Sequence, residues 1–171
     1  MGRNIQGHAQ STTLKHPRGF TIVELLIVII VIAILAAIII VTYTGIQGKA
    51  NDSSIQADLR NAAIAIENFN TQTGSYPTSW TDMSTIGPKI SKGAYATNVN
   101  NFVVCSNSGE YAIAAVSSSG KIFYRSSNKG SGAYTWTWTQ TVASTCPNML
   151  VNASTLAGWG WTNNTWANWL Q

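Results

Sequence analysis

From Phe20 to Val41 the chain reads "FTIVELLIVIIVIAILAAIIIV", with Thr21 and Glu24 its only polar side chains. As an α-helix rising 1.5 Å per residue the run spans roughly 33 Å. That matches the hydrocarbon core of a bilayer, about 30 Å thick. Arg3, Lys15 and Arg18 precede the run, whereas Lys49 follows it and is balanced by Asp52. The positive charge therefore predicts a cytoplasmic N-terminus and export of everything after residue 44. A secretory signal peptide is the competing reading, but its apolar region is usually about 7 to 15 residues long and ends at a small-x-small cleavage site. Here Ala36-Ala37 runs straight into Ile-Ile-Ile-Val. Within such a segment the carboxylate of Glu24 needs a reason: unpaired, it costs several kcal/mol or takes up a proton.

The stretch "RGFTIVELLIVIIVIAILAAI" resembles the N-terminal signature of type IV pilins and the related pseudopilins. The resemblance implies that a prepilin peptidase at the cytoplasmic face cuts between Gly19 and Phe20, and that Phe20 becomes the N-methylated first residue. Glu24, then fifth in the mature chain, is implied to pair with the terminal amine of a neighbouring subunit, an attraction made strong by apolar surroundings. The plain alternative is a membrane anchor with an incidental glutamate. Two features depart from the commonest pattern. The leader is 19 residues long, and Val41 stands where many family members carry a helix-bending proline. Gly45 and Gly48 are the expected points of flexibility instead.

A chain cut after Gly19 loses three of its ten basic residues and both histidines, His8 and His16. The remaining seven bases face six acids, so the formal charge falls from +4 to +1 and says little about partners. Histidine catalysis and histidine metal ligation are excluded for such a chain.

Four segments are expected: a leader over 1–19, a membrane or filament-core helix over 20–44, an amphipathic continuation over 45–72, and a β-rich head over 73–171. Ile55, Leu59, Ala62, Ile66 and Phe69 recur at helical spacing, with Gln56, Asp58, Arg60, Asn61, Glu67 and Asn68 expected on the opposite face. The helix should stop near Gly74. "GSYPTSW" resembles the turn by which many pilins enter the head. "NFVVCS", "EYAIAAVS", "KIFYRSS" and "AYTWTWTQTV" read as four strands, with "SSSG" turning between the second and third. In the last of them Tyr134, Trp136 and Trp138 alternate with threonines, so an aromatic face is expected to cover the amphipathic helix. The fold class is α+β, a long helix laid on an antiparallel sheet.

Cys105 and Cys146 both fall in the segment expected outside the cytoplasm, which predicts a single disulfide; two free thiols are the alternative. The C-terminal "GWGWTNNTWANWLQ" holds Trp159, Trp161, Trp166 and Trp169. It reads as a last strand with Trp159 and Trp161 on one face, followed by a short helical turn packing Trp166 beside Trp169 and Leu170. Exposed indoles gripping a surface or glycan ligand are the second reading. Lys121, Arg125 and Lys129 read as a solvated charged edge, with attraction to DNA phosphates the weaker alternative. Asn152 and Asn163 match the minimal glycosylation sequon, a pattern that arises easily in Asn- and Thr-rich sequence. No nucleophile motif, phosphate-binding loop, carboxylate pair or metal-ligand spacing occurs, so neither enzyme activity nor any cofactor or metal is expected.

The resemblance thus implies a structural subunit of a type IV pilus serving adhesion, twitching motility or DNA uptake. Its partners would be identical or homologous subunits, the prepilin peptidase, the assembly machinery and the membrane. It would reside in the membrane before assembly and on the cell surface after it. A pseudopilin of a secretion or competence system is the alternative within the family. A membrane-anchored binding module with a Trp-rich head is the alternative outside it.

Overall fold

The computed structural model describes residues 19–135, 137–139, 141–149 and 154–171. The leader up to Arg18, Trp136, Asn152 and the side chain of Val41 lie outside the described residues. The chain forms two compact units, divided between Val41 and Thr42.

Helix α1, Ile22–Thr73, is continuous through Gly45 and Gly48. In the first unit every described side chain is exposed, the apolar ones included. The second unit begins within α1, where Ile55, Leu59, Ala62 and Ile66 are buried and Phe69 is half-buried. Gly74, at φ +82°, ends the helix in the left-handed conformation, its N–H donating to Asn70 O at 2.8 Å. The Ser-Tyr-Pro segment then turns the chain. Tyr76 packs on Tyr111 at 5.1 Å between ring centroids, and α2, Trp80–Ile86, opens on a reciprocal capping box between Ser79 and Asp82.

The sheet is antiparallel throughout, in the order β4-β3-β2-β1-β5: β1 is Phe102–Ser106, β2 Tyr111–Val116, β3 Ile122–Ser126, β4 Gly130–Ala133 and β5 Leu156–Trp159. Ser117 to Gly120 close the β2–β3 hairpin as expected, with Gly120 at φ +87°. Period-two alternation gives the sheet two apolar faces. Phe102, Val104, Tyr111, Ile113 and Ala115 pack with the α1 stripe, Met83 and Trp169. Val103, Cys105, Ala112 and Ala114 pack on the other side with Tyr134, Cys146 and Met149.

The fourth strand differs from expectation. It comprises Gly130–Ala133, and α3 begins at Val142; the described residues between them are not strand. Trp138 turns inward, donating from Nε1 to Asn100 O at 3.0 Å and packing edge-on to Tyr134 and Trp159. Thr139, the last of the alternating threonines, bonds Thr145 of α3 instead, and Thr141 beyond it bonds Ser144. Hydroxyl bonds to the next helix thus outcompete the ladder that the alternation suggests. Tyr134 and Trp138 accordingly cover the sheet face away from α1, the reverse of the expected placement.

The C-terminal reading is also corrected. Trp159 joins the second cluster, Gly160 interrupts, and β6, Trp161–Thr162, pairs with β7, Thr165–Trp166, where a helical turn was expected. Asn163 and Asn164, both at positive φ, form the two-residue turn of that hairpin. Trp161 packs on Trp166 at 5.0 Å, while Trp169 stacks on Trp80 at 5.7 Å. A Cβ at Gly160 would stand 2.5 Å from a Leu170 methyl and 3.1 Å from Phe102 Cβ, both in the core. Gly160→Val is expected to destabilise this unit by about 2–3 kcal/mol through overpacking, read as a lowered denaturant midpoint at unchanged m-value.

Two carboxylates on α1 are buried. Asp58, expected on the solvent face, instead accepts from Ser91 N at 2.6 Å, Ser91 Oγ at 3.2 Å and Tyr95 Oη at 3.1 Å. Burial, then the charge and hydrogen bond of Asp58, push the Tyr95 phenol far above its ordinary value, so it stays a donor. Asp52 accepts from Ser119 and, at 2.9 Å, from Lys121 Nζ, while Asn51 bonds Ser118 at 2.6 Å. These contacts fasten the β2–β3 turn to α1. Burial alone would raise the Asp52 carboxyl. The bonds from Ser119, Lys121 and Ser117 and the Lys121 charge outweigh it and hold the group below its usual 3.8. A depressed folded pKa stabilises above the unfolded value and is lost as pH falls through the folded one. Asp52→Asn is therefore expected to cost about 1–2 kcal/mol at pH 7, with the difference from wild type closing as pH falls below the usual 3.8. Unfolding measured across that range checks it.

Candidate assembly site

Gly19 and Phe20 precede α1 and are exposed. Thr21 and Glu24 open the helix together. The Thr21 N–H donates to Glu24 Oε2 at 2.9 Å, the Thr21 hydroxyl donates to the same oxygen at 2.8 Å, and the Glu24 N–H lies 3.2 Å from Thr21 Oγ1. This is a reciprocal cap that satisfies two of the N–H groups a helix start leaves open. Sequence reasoning centred on Glu24 passed over Thr21, although Thr-x-x-Glu ahead of an apolar run is the signature of such a cap.

The cap holds the carboxylate at the beginning of the helix while both bonds fall on one oxygen. Among the described residues no hydrogen bond joins Glu24 to Gly19 or Phe20, and Oε1 has no partner. The site thus carries an oriented acceptor surrounded by exposed apolar side chains: Phe20 is 84% and Ile22 84% accessible. An ammonium group arriving from another molecule would find a pre-placed carboxylate, in surroundings whose polarity falls as the apolar surface is covered.

In the second unit the structure joins Cys105 of β1 to Cys146 of α3 as a disulfide. Lys121 and Lys129 are solvent-exposed as expected, but β3 is not an edge, because β4 pairs outside it. Lys121 also pairs with Asp52, Lys129 donates to Asn148 O at 2.8 Å, and Arg125 lies on the β3 face towards α1, beside half-buried Phe123. The described residues contain no cluster of three or more His, Cys, Asp or Glu side chains able to hold a metal ion.

A long helix, apolar throughout its first part, followed by a helix-on-antiparallel-sheet head with one disulfide, is the α+β architecture of the pilin class. The family model for the prokaryotic N-terminal methylation motif matches residues 14–40. The type IV wide pilus major component PilA4 of Thermus thermophilus is 29% identical over 111 residues, covering 65% of this chain and 82% of the relative. The chain thus carries the N-terminal methylation motif and is similar to a type IV pilin over most of its length.

Proposed function

We propose that this chain is a filament subunit, a prepilin stored in the membrane, matured between Gly19 and Phe20, methylated on the Phe20 amine and polymerised into a surface pilus. The observation that carries the reading is the capped Glu24 carboxylate set in an otherwise wholly apolar, exposed helical segment. In a bilayer that segment is solvated by lipid. In a filament core the same side chains pack against copies of themselves, and Glu24 gains the amine of a neighbour. One surface therefore serves storage and polymer, and one charge distinguishes them.

We read the filament as a pilus on the similarity to a pilus major component, with a secretion pseudopilus as the alternative. Adhesion, motility and DNA uptake are then tasks of the polymer and its machine, and the subunit's role is structural, not enzymatic. The test of maturation is intact mass in the membrane fraction. Wild-type chains are expected to begin at Phe20, whereas Gly19→Val chains keep all 19 leader residues. Wild-type chains that also keep the leader would overturn this reading.

A further inference from the structure

We propose that a cleft in the second unit, between the outer flank of α1 and strands β3 and β4, binds an acidic sugar such as a uronic acid. The cleft has a volume of about 540 Å³, within the range of small-ligand sites. It exists because β4 is Gly-Ser-Gly-Ala and lends almost no side-chain bulk where a filled strand would meet the helix.

Its chemistry is lopsided. Arg60 comes from α1 and Arg125 from β3, Gln56 and Asn61 flank Arg60 on the helix, and Ser131 pairs with Arg125 across the β3–β4 ladder. Phe123 adds an apolar wall, and no carboxylate lines the space. Arg125 also interacts with the Tyr111 hydroxyl, which occupies part of a guanidinium with five donors. Arg60 is exposed and has no partner among the described residues.

Most of the unit's own acids are already engaged. Asp52 holds Lys121 and Ser119, Asp58 holds Ser91 and Tyr95, Glu67 takes the Tyr76 hydroxyl, Asp82 caps α2, and Glu110 takes amides from Asn107 and Asn128. Glu67 of a second copy is exposed with one oxygen unbonded, but a lone carboxylate would meet the arginines and leave the amides and Phe123 unused. An anion that engages the whole lining is therefore foreign to the chain. Two guanidiniums suit a carboxylate, while amides, a hydroxyl and the open edge of β4 suit a ring bearing many hydroxyls, and Phe123 suits its C–H face. Inorganic phosphate or acetate would use the arginines and leave the rest idle.

The test is NMR titration of the full chain in polyoxyethylene detergent micelles with glucuronate, glucose, acetate and phosphate. Glucuronate is expected to shift cleft amides saturably with a dissociation constant on the order of millimolar. Glucose, acetate and phosphate should each bind at least about tenfold more weakly, and Arg60→Gln should weaken glucuronate by about tenfold with the melting temperature unchanged. Acetate or phosphate binding as tightly as glucuronate, equal binding by Arg60→Gln, or no saturable shift at about 20 mM would each overturn the proposal. None of these outcomes depends on filament assembly.

Discussion

Glu24→Ala is expected to remove the protein from the sheared surface fraction while leaving its amount in the membrane unchanged. A carboxylate and an amine about 4 Å apart attract by roughly 4 kcal/mol at an effective dielectric near 20, equivalent to about three decades in the equilibrium for adding each subunit. Alanine forfeits that attraction and makes the helix more apolar, so anchoring does not suffer. Because Glu24 also caps α1 through Thr21, a second variant separates the two roles. Glu24→Gln keeps an acceptor at the capping position but carries no charge. Assembly should fail in both variants if the charge is what matters. Fibres at wild-type abundance from Glu24→Gln would assign the residue to the cap alone.

Cys146→Ser is expected to produce the largest loss of stability in the second unit. The Cys105–Cys146 bridge closes a separation of 41 residues, worth about 4 kcal/mol in the chain-entropy account. That is a large share of the roughly 5–15 kcal/mol by which domains of this kind are stable. The bridge ties α3 to strand β1, inside the sheet between β2 and β5, across the face where Tyr134, Met149 and Trp159 pack. Thermal unfolding of the chain in micelles should fall by roughly 10–20 °C in the variant, and a reductant should lower wild type to the same midpoint. A change of less than about 1 kcal/mol would mean that aromatic packing holds α3 without help.

Residues whose role is set by local period were legible in the sequence. Ile55, Leu59, Ala62 and Ile66 mark the buried stripe of α1 at helical spacing, and the first three strands fall where "NFVVCS", "EYAIAAVS" and "KIFYRSS" place them. Residues whose role depends on distant partners were not. Asp58 reads as solvent-facing because its partners, Ser91 and Tyr95, lie more than 30 positions away. The alternation of Tyr134 to Thr139 reads as strand because nothing local reveals that Trp138 donates to Asn100 or that Thr139 bonds Thr145 of the next helix. Likewise Trp161 and Trp166 pair across a hairpin whose two-asparagine turn looked like a sequon. At the assembly site the order was reversed: Glu24 was conspicuous, and its local partner Thr21 was overlooked despite the signature between them.

Intact mass with N-terminal sequencing of chains recovered from a sheared surface fraction, beside a Glu24→Ala strain, tests the central claim most directly. The account predicts chains that begin at Phe20, carry one added methyl group, are two hydrogens short for the Cys105–Cys146 bridge, and are absent from the mutant's sheared fraction. Chains that still carry the leader, or that stay in the membrane in both strains, would contradict it and leave a membrane-anchored binding module as the better description.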